Sequence, residues 1–215
     1  AFIGSTGSGK STLVNLVPRF YDVSSGSIKI NGKDIRDYDV LELRDKLGVI
    51  PQKAVLFSGT IADNIRFGKK DASDEEVEYA AKVAQAYPFI MEKENGFDEE
   101  ISEGATNVSG GQKQRLSIAR ALVRKAQIYI FDDSFSALDF KTDAILRKEL
   151  KKEMTESIML VVAQRISSIM EADQIIVLNE GKVVGKGTHH QLLKECQIYH
   201  EIATSQLSEE ELANA

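Results

Sequence analysis

Nine residues near the start of this chain, Gly4-Ser5-Thr6-Gly7-Ser8-Gly9-Lys10-Ser11-Thr12, have the types and spacing of a phosphate-binding loop. Glycines at 4 and 9 let backbone N–H groups turn toward the α- and β-phosphates of a nucleotide. Lys10 would place a point charge near the β/γ oxygens, and the Ser11 hydroxyl could ligate Mg²⁺. The run Leu13-Val14-Asn15-Leu16-Val17 predicts a helix whose N-terminus would receive the anion. A Gly/Ser turn that only caps a helix is the plainer alternative, and the full pattern favours nucleotide binding.

Such a loop needs a metal-holding carboxylate at the end of another strand. Ile128-Tyr129-Ile130-Phe131-Asp132 supplies one, four apolar residues ending at an acid. Asp132 is the expected Mg²⁺-associated residue, and Asp133 stands where a base for an attacking water would stand. About twenty residues earlier, Val108-Ser109-Gly110-Gly111-Gln112 opens a helix. Ser109 is a natural N-cap there, and two glycines leave the backbone open to a phosphate.

The elements that must position these residues alternate between strand and helix, the pattern of an α/β domain around a largely parallel sheet. Strands are expected at 28–30, 47–50, 128–131, 158–163 and 174–178, with a closing hairpin through Asn179-Glu180-Gly181 into 182–184. Asn31-Gly32 reads as a hairpin turn. Helical periodicity runs from Ser73 to Met91 behind the acidic turn Asp74-Glu75-Glu76, and again from Gly111 to Lys125. The strands therefore fall in two blocks, with a helical block at about 53–125 between core segments of about 1–52 and 126–200. The polar, acidic tail from Ser205 is expected to fray.

Composition is that of an ordinary globular protein: 215 residues, 42% apolar, 28% charged, no Trp. A net charge of −6 argues against a nucleic-acid partner held by general electrostatics. Cys196 is alone, so no internal disulfide can form, and it is expected as a small apolar residue in a helix. No apolar run reaches the roughly 18–20 residues that span a bilayer. The chain opens Ala1-Phe2-Ile3 directly before the loop, so it reads as a piece of a longer polypeptide. An N-terminal strand, and with it a membrane domain, is expected upstream.

Taken together these motifs resemble the nucleotide-binding domain of ABC transporters, and are most similar to those of multidrug-type exporters, over essentially the whole chain. Walker A is residues 4–12, Gln52 centres a glutamine loop, and Leu56-Phe57-Ser58-Gly59-Thr60-Ile61-Ala62-Asp63-Asn64-Ile65 is exporter-like. Ser109-Gly110-Gly111-Gln112 is the signature, Walker B ends at Asp132, and Ser136-Ala137-Leu138-Asp139 is the D-loop. Glu103-Gly104 resembles, less closely, the segment that meets coupling helices. The resemblance implies a P-loop NTPase core (RecA-like, mostly parallel sheet) carrying a helical subdomain and an antiparallel β portion, as one domain over 1–215. It implies ATP and Mg²⁺ as ligands, with Ser11, Gln52 and Asp132 around the metal. It further implies a head-to-tail dimer with a second such domain, transmembrane-domain coupling helices as partners, and a place at the cytoplasmic face of a membrane.

Two positions depart from that family. Its hydrolytic glutamate is Asp133 here, and its switch histidine is Gln164 in Val161-Val162-Ala163-Gln164-Arg165. Asp133 is one methylene short for a base that must lie within about 2.6–3.2 Å of its proton donor. Gln164 can hydrogen-bond a γ-phosphate but cannot carry an imidazolium charge. The expectation is a site that holds ATP but is impaired in hydrolysis, in one half of a heterodimeric exporter, with the signature serving the partner's ATP. The alternatives are an active homodimeric exporter ATPase, an importer ATPase, and a regulatory ATP-binding module. Kinases and GTPases lack the signature and D-loop, and DNA-repair ATPases insert a long coiled coil. The adjacent His189 and His190 point apart on a helix and make a poor metal pair.

Overall fold

The computed structural model describes residues 1–208 and Leu212. Its first elements are strand β1 (Phe2–Gly4), helix α1 (Lys10–Asn15), strands β2 (Lys29–Ile30) and β3 (Lys33–Asp34), and helix α2 (Val40–Asp45). Strands β4 (Leu47–Ile50) and β5 (Gly59–Thr60) precede helices α3 (Ile61–Arg66), α4 (Asp74–Val83) and α5 (Tyr87–Met91). Next come β6 (Glu100–Ile101), α6 (Gly110–Leu122), β7 (Ile128–Asp132) and α7 (Phe140–Glu153). Strands β8 (Ile158–Val162), β9 (Ile175–Asn179) and β10 (Lys182–Gly187) lead into helices α8 (His189–Glu195) and α9 (Gln197–Thr204). The chain divides into two compact units, a terminal one of residues 1–44 with 160–215 and a central one of 45–159.

In the terminal unit β1 runs parallel to both β8 and β9, with Phe2 opposite Val162 on one side and Ile176 on the other. β10 returns antiparallel to β9 through the turn at Glu180 and Gly181, both at positive φ. β2 and β3 are joined by Asn31 (φ 51°) and Gly32 (φ 79°), the left-handed pair that a tight hairpin turn requires. Beneath the strands lies an apolar cluster that includes Ile3, Ile166, Ile175, Val177 and Tyr199. Cys196 is buried in it at the junction of α8 and α9, not inside a helix, and its sulfur fills the space over Gly185, where a Cβ would lie 2.7 Å away.

In the central unit β4 and β7 pair in parallel, Leu47 opposite Ile128 through Ile50 opposite Phe131. Every residue of β7 is buried, which is why that strand reads as an unbroken apolar run instead of an alternating one. Parallel pairing in both units, with β10 antiparallel, bears out the α/β expectation. The helix expected over 73–91 is interrupted. α4 starts on a capping box between Ser73 and Glu76, buries Val77, Ala80 and Ala81, and ends before Gln85, which sits at φ 56°. Pro88 then falls in the first turn of α5, where its missing N–H is harmless, whereas inside a continuous helix it would break the ladder. Helix α7, capped by Asp139, was not marked by the strand–helix pattern.

Two expectations follow from this packing. Gly68 lies against the signature helix so closely that a Cβ would stand 1.9 Å from the Arg120 carbonyl oxygen. Gly68→Ala should therefore destabilise the chain by about 2–3 kcal/mol and lower the melting temperature by roughly 5–10 °C in a calorimetric scan, and an unchanged melting temperature would contradict this close approach. His189 is buried, its Nδ1 2.7 Å from the Tyr199 hydroxyl, and burial followed by the neighbouring His190 lowers its proton affinity. Because the unfolded imidazole takes up a proton near pH 6.5 while the folded one resists it, stability should fall as the pH drops through and below that value. Denaturant titrations between pH 7 and 5 should show this slope flattened in His189→Gln, whereas equal slopes would assign it to other groups.

Candidate functional site

The phosphate-loop geometry begins at Gly4, which ends β1 at φ 153°. A Cβ here would lie 2.0 Å from the Leu178 carbonyl oxygen of the neighbouring strand, so no side chain fits. Gly7 (φ 81°) and Gly9 (φ 95°) are also at positive φ, and Gly9 stands as the N-cap of α1. The loop wraps around the buried Lys10, whose ammonium donates to the carbonyls of Gly4 (2.8 Å) and Ser5 (2.8 Å) and to the Ser8 hydroxyl (3.2 Å). Gly181 N–H donates to the Ser8 carbonyl at 3.2 Å, tying the loop to the β9–β10 turn. Ser5, Thr6 and Gly7 at the loop's crest and Ser11 and Thr12 on α1 face solvent. Lysine charge, turned backbone and exposed hydroxyl are thus on one short loop, as a polyphosphate requires.

In the central unit the structure brings Gln52 and Asp133 together. Gln52 Nε2 donates to Asp133 Oδ2 at 3.0 Å. Asp132, the last residue of β7, and Asp133 are both buried, and Asp133 takes a left-handed φ of 50°, a region aspartate enters more readily than most residues. Three further bonds fix the turn and the glutamine loop. Ser134 Oγ donates to the Ile50 carbonyl (3.0 Å), Gln114 Nε2 to the Pro51 carbonyl (3.2 Å), and Ser136 Oγ to the Asp133 carbonyl (2.8 Å). The segment beyond is held by Arg120, which donates to the Val55 carbonyl (2.8 Å) and the Asn64 carbonyl (2.8 Å) and lies over the Phe57 ring. Burial lowers that guanidinium's proton affinity. Sequence reasoning missed Ser134 and Arg120 and, although Lys113-Gln114-Arg115 follows the signature, the bond by which Gln114 holds the glutamine loop.

At the head of α6, Ser109 and Gln112 form a reciprocal capping box, with Ser109 Oγ accepting from Gln112 N–H (3.2 Å) and Gln112 Oε1 from Ser109 N–H (2.9 Å). A Cβ at Gly110 would meet nothing within 4 Å, so this chain's own packing makes no demand for glycine there. Gly111 lies near the D-loop, a Cβ on it falling 3.4 Å from the Ala137 carbonyl oxygen. Asp139 caps α7 through Thr142, and those hydrogen bonds hold its carboxyl below the usual range. Glu103 precedes two left-handed residues, Gly104 (φ 70°) and Ala105 (φ 53°).

Gln164 is exposed in the terminal unit, just past β8. Its carbonyl accepts from Gln206 Nε2 at 2.8 Å, and Ile166 N–H donates to Gln206 Oε1 at 2.8 Å. The expected fraying of the tail is overturned at this residue: past the end of α9 the chain is held by its amide and by Leu207 packed on the core. Leu212 packs on the same core, and the remaining tail residues lie outside the described residues. Among the described residues no group of three His, Cys, Asp or Glu is placed to hold a metal ion. Taken unit by unit, the Ser11 hydroxyl in the terminal unit, and Gln52 Oε1 and the Asp132 carboxylate in the central unit, are oxygen donors of the kind Mg²⁺ takes. Gln52 spends its amide nitrogen on Asp133, which leaves the oxygen as the atom to meet a cation.

A family model described as ABC transporter matches residues 1–136. An uncharacterized ABC transporter ATP-binding protein of Mycobacterium tuberculosis is 46% identical over 209 residues, covering 96% of this chain and 36% of that protein. A Staphylococcus aureus protein named as a multidrug export ATP-binding/permease protein is 44% identical over 206 residues, again 96% of this chain and 36% of the relative. A solved bacterial Atm1-family ABC exporter with ATP bound superposes with a TM-score of 0.93 at 39% identity, over 97% of this chain and 37% of that one. The chain thus spans about a third of the length of these relatives, and no helix among its described residues is long and apolar enough to cross a membrane. On this match, with the loop geometry beneath it, the chain belongs to the ABC transporter family, as a nucleotide-binding domain homologous to those of exporters.

Proposed function

We propose that this domain binds ATP with Mg²⁺ at its Gly4–Thr12 loop, pairs head-to-tail with a second nucleotide-binding domain, and drives export through attached membrane helices at the cytoplasmic face of a membrane. In this reading Lys10 and the loop N–H groups hold the β- and γ-phosphates. Ser11, Gln52 and Asp132 would hold Mg²⁺, which when bound supplies charge neutralisation between the phosphates. Gln164 donates its amide to the γ-phosphate. Ser109, Gly110 and Gly111 close over the ATP of the partner domain, a role supported by the open space that Gly110 faces.

The chain's own site is the hydrolysis-impaired one of a heterodimer. The observation that carries this is the engagement of Asp133: its short carboxylate sits on a left-handed backbone and already accepts the Gln52 amide at 3.0 Å. A general base must reach its water's proton at about 2.6–3.2 Å, and a group shorter by one methylene and drawn toward a glutamine is poorly placed to do so. Gln164 adds a hydrogen bond but no positive charge as charge develops on the transferring phosphoryl group. Binding groups are intact while both hydrolytic groups are altered, which favours retention of ATP over its turnover. The partner would then supply the glutamate and histidine, and this chain's signature would complete the faster site.

The paired change Asp133→Glu with Gln164→His tests this. Steady-state ATPase rates of the assembled transporter should show hydrolysis at this chain's site raised about tenfold or more, with each single change giving less. No gain from the double variant, or rapid turnover by the unaltered chain without a partner, would sink the reading.

A further inference from the structure

The loop around Gln164 is gripped by Gln206, just past the end of α9. The backbone at 164–166 leaves β8 in an extended course, with Arg165 at φ −103°, ψ 127°. Gln206 meets it with both ends of one primary amide, donating to the Gln164 carbonyl and accepting from the Ile166 N–H, each at 2.8 Å. A carbonyl and an N–H two residues apart are what a neighbouring strand would pair. The Gln206 side chain therefore acts as a one-residue strand addition. Nothing about its position is loose at the base. Its own N–H donates to the Ala203 carbonyl (3.0 Å), Ala203 and Tyr199 of α9 are fully buried, and Leu207 packs on the same core. Tyr199 is fixed to α8 through His189. On the loop side, Ile166 is fully buried and opens a short 3₁₀ turn, so the exposed Gln206 side chain joins two segments that are each anchored in the core.

We propose that Gln206 is a positioning residue for nucleotide discrimination: it fixes the backbone from which Gln164 reaches the γ-phosphate, and so couples the α8–α9 helices to the distinction between ATP and ADP. The proposal rests on the reading of Gln164 given under Proposed function. A side chain that floats must be ordered on each binding event, whereas one on a fixed backbone meets the γ-phosphate already placed. ADP offers nothing at that position, so its affinity should not depend on the grip.

The test uses the full transporter with Gln206→Met, which keeps the shape and removes both hydrogen bonds, beside Gln164→Ala. Binding of ADP and of a non-hydrolysable ATP analogue is titrated at this chain's site, and amide exchange is followed at Ile166. Gln206→Met should leave ADP affinity unchanged, lower the ATP-analogue to ADP affinity ratio by about three- to tenfold, and speed exchange at Ile166. Faster exchange with an unchanged ratio would overturn the proposal, and so would unchanged exchange. If Gln164→Ala lowers the ratio and Gln206→Met does not, the positioning role alone fails. If Gln164→Ala leaves the ratio unchanged, the γ-phosphate role of Gln164 fails and takes the proposal with it.

Discussion

The site rests on a steric constraint at Gly4. The last residue of β1 passes so close to β9 that a Cβ would stand 2.0 Å from the Leu178 carbonyl oxygen. Only glycine permits this, and its backbone at φ 153° turns the chain directly from strand into loop. Once turned, the loop closes on the Lys10 ammonium, which satisfies the Gly4 and Ser5 carbonyls and the Ser8 hydroxyl. A buried cation stays charged only with such partners around it. The same three contacts fix the course of the loop from Gly4 to Ser8. Strand register, loop and lysine thus form one dependent chain, from which the nucleotide chemistry proposed here follows.

The central unit solves a different problem, that of holding a charged turn at the end of a wholly buried strand. Asp132 and Asp133 are both buried at the end of β7. Around them Ser134, Gln114 and Gln52 bond in succession to the Ile50 carbonyl, the Pro51 carbonyl and the Asp133 carboxylate. Two of these donors come from elements other than the loop itself, so the glutamine loop is fixed against both the acidic turn and the signature helix. Arg120 extends the hold to Val55 and Asn64. Each of these bonds matters because an unpaired member would leave a polar group in a low-dielectric setting. It also explains why Asp133 is engaged by a neighbour instead of standing open.

Legibility in the sequence followed how local each cause was. The buried strand before Asp132, the Ser109 N-cap and the Asn31-Gly32 turn are set by residues within a few positions of one another, and each stands where it was expected, whereas the helix expected over 13–17 runs instead from Lys10 to Asn15. The break at Gln85 was hidden because apolar residues keep their helical spacing across it, and only Pro88 signals that the ladder must stop. Helix α7 was missed although Asp139 is a strong cap, because the D-loop pattern absorbed that residue. Gln114, Arg120 and Gln206 were illegible for a deeper reason. Their partners lie 63, 56 and 42 residues away, at Pro51, Asn64 and Gln164. A lone glutamine at the edge of a polar tail carries no local mark of such a bond.

The central claim is that the Lys10 loop holds ATP through cycles of work done elsewhere in the assembly. Its most direct test is the fate of nucleotide at this chain. The assembled transporter is supplied with a photo-crosslinkable ATP labelled on the adenine, allowed to turn over many times, and the nucleotide attached to each chain is identified after separation. The account predicts intact triphosphate on this chain after many turnovers, while diphosphate accumulates on the partner. Diphosphate formed on this chain at the pace of overall turnover would contradict it.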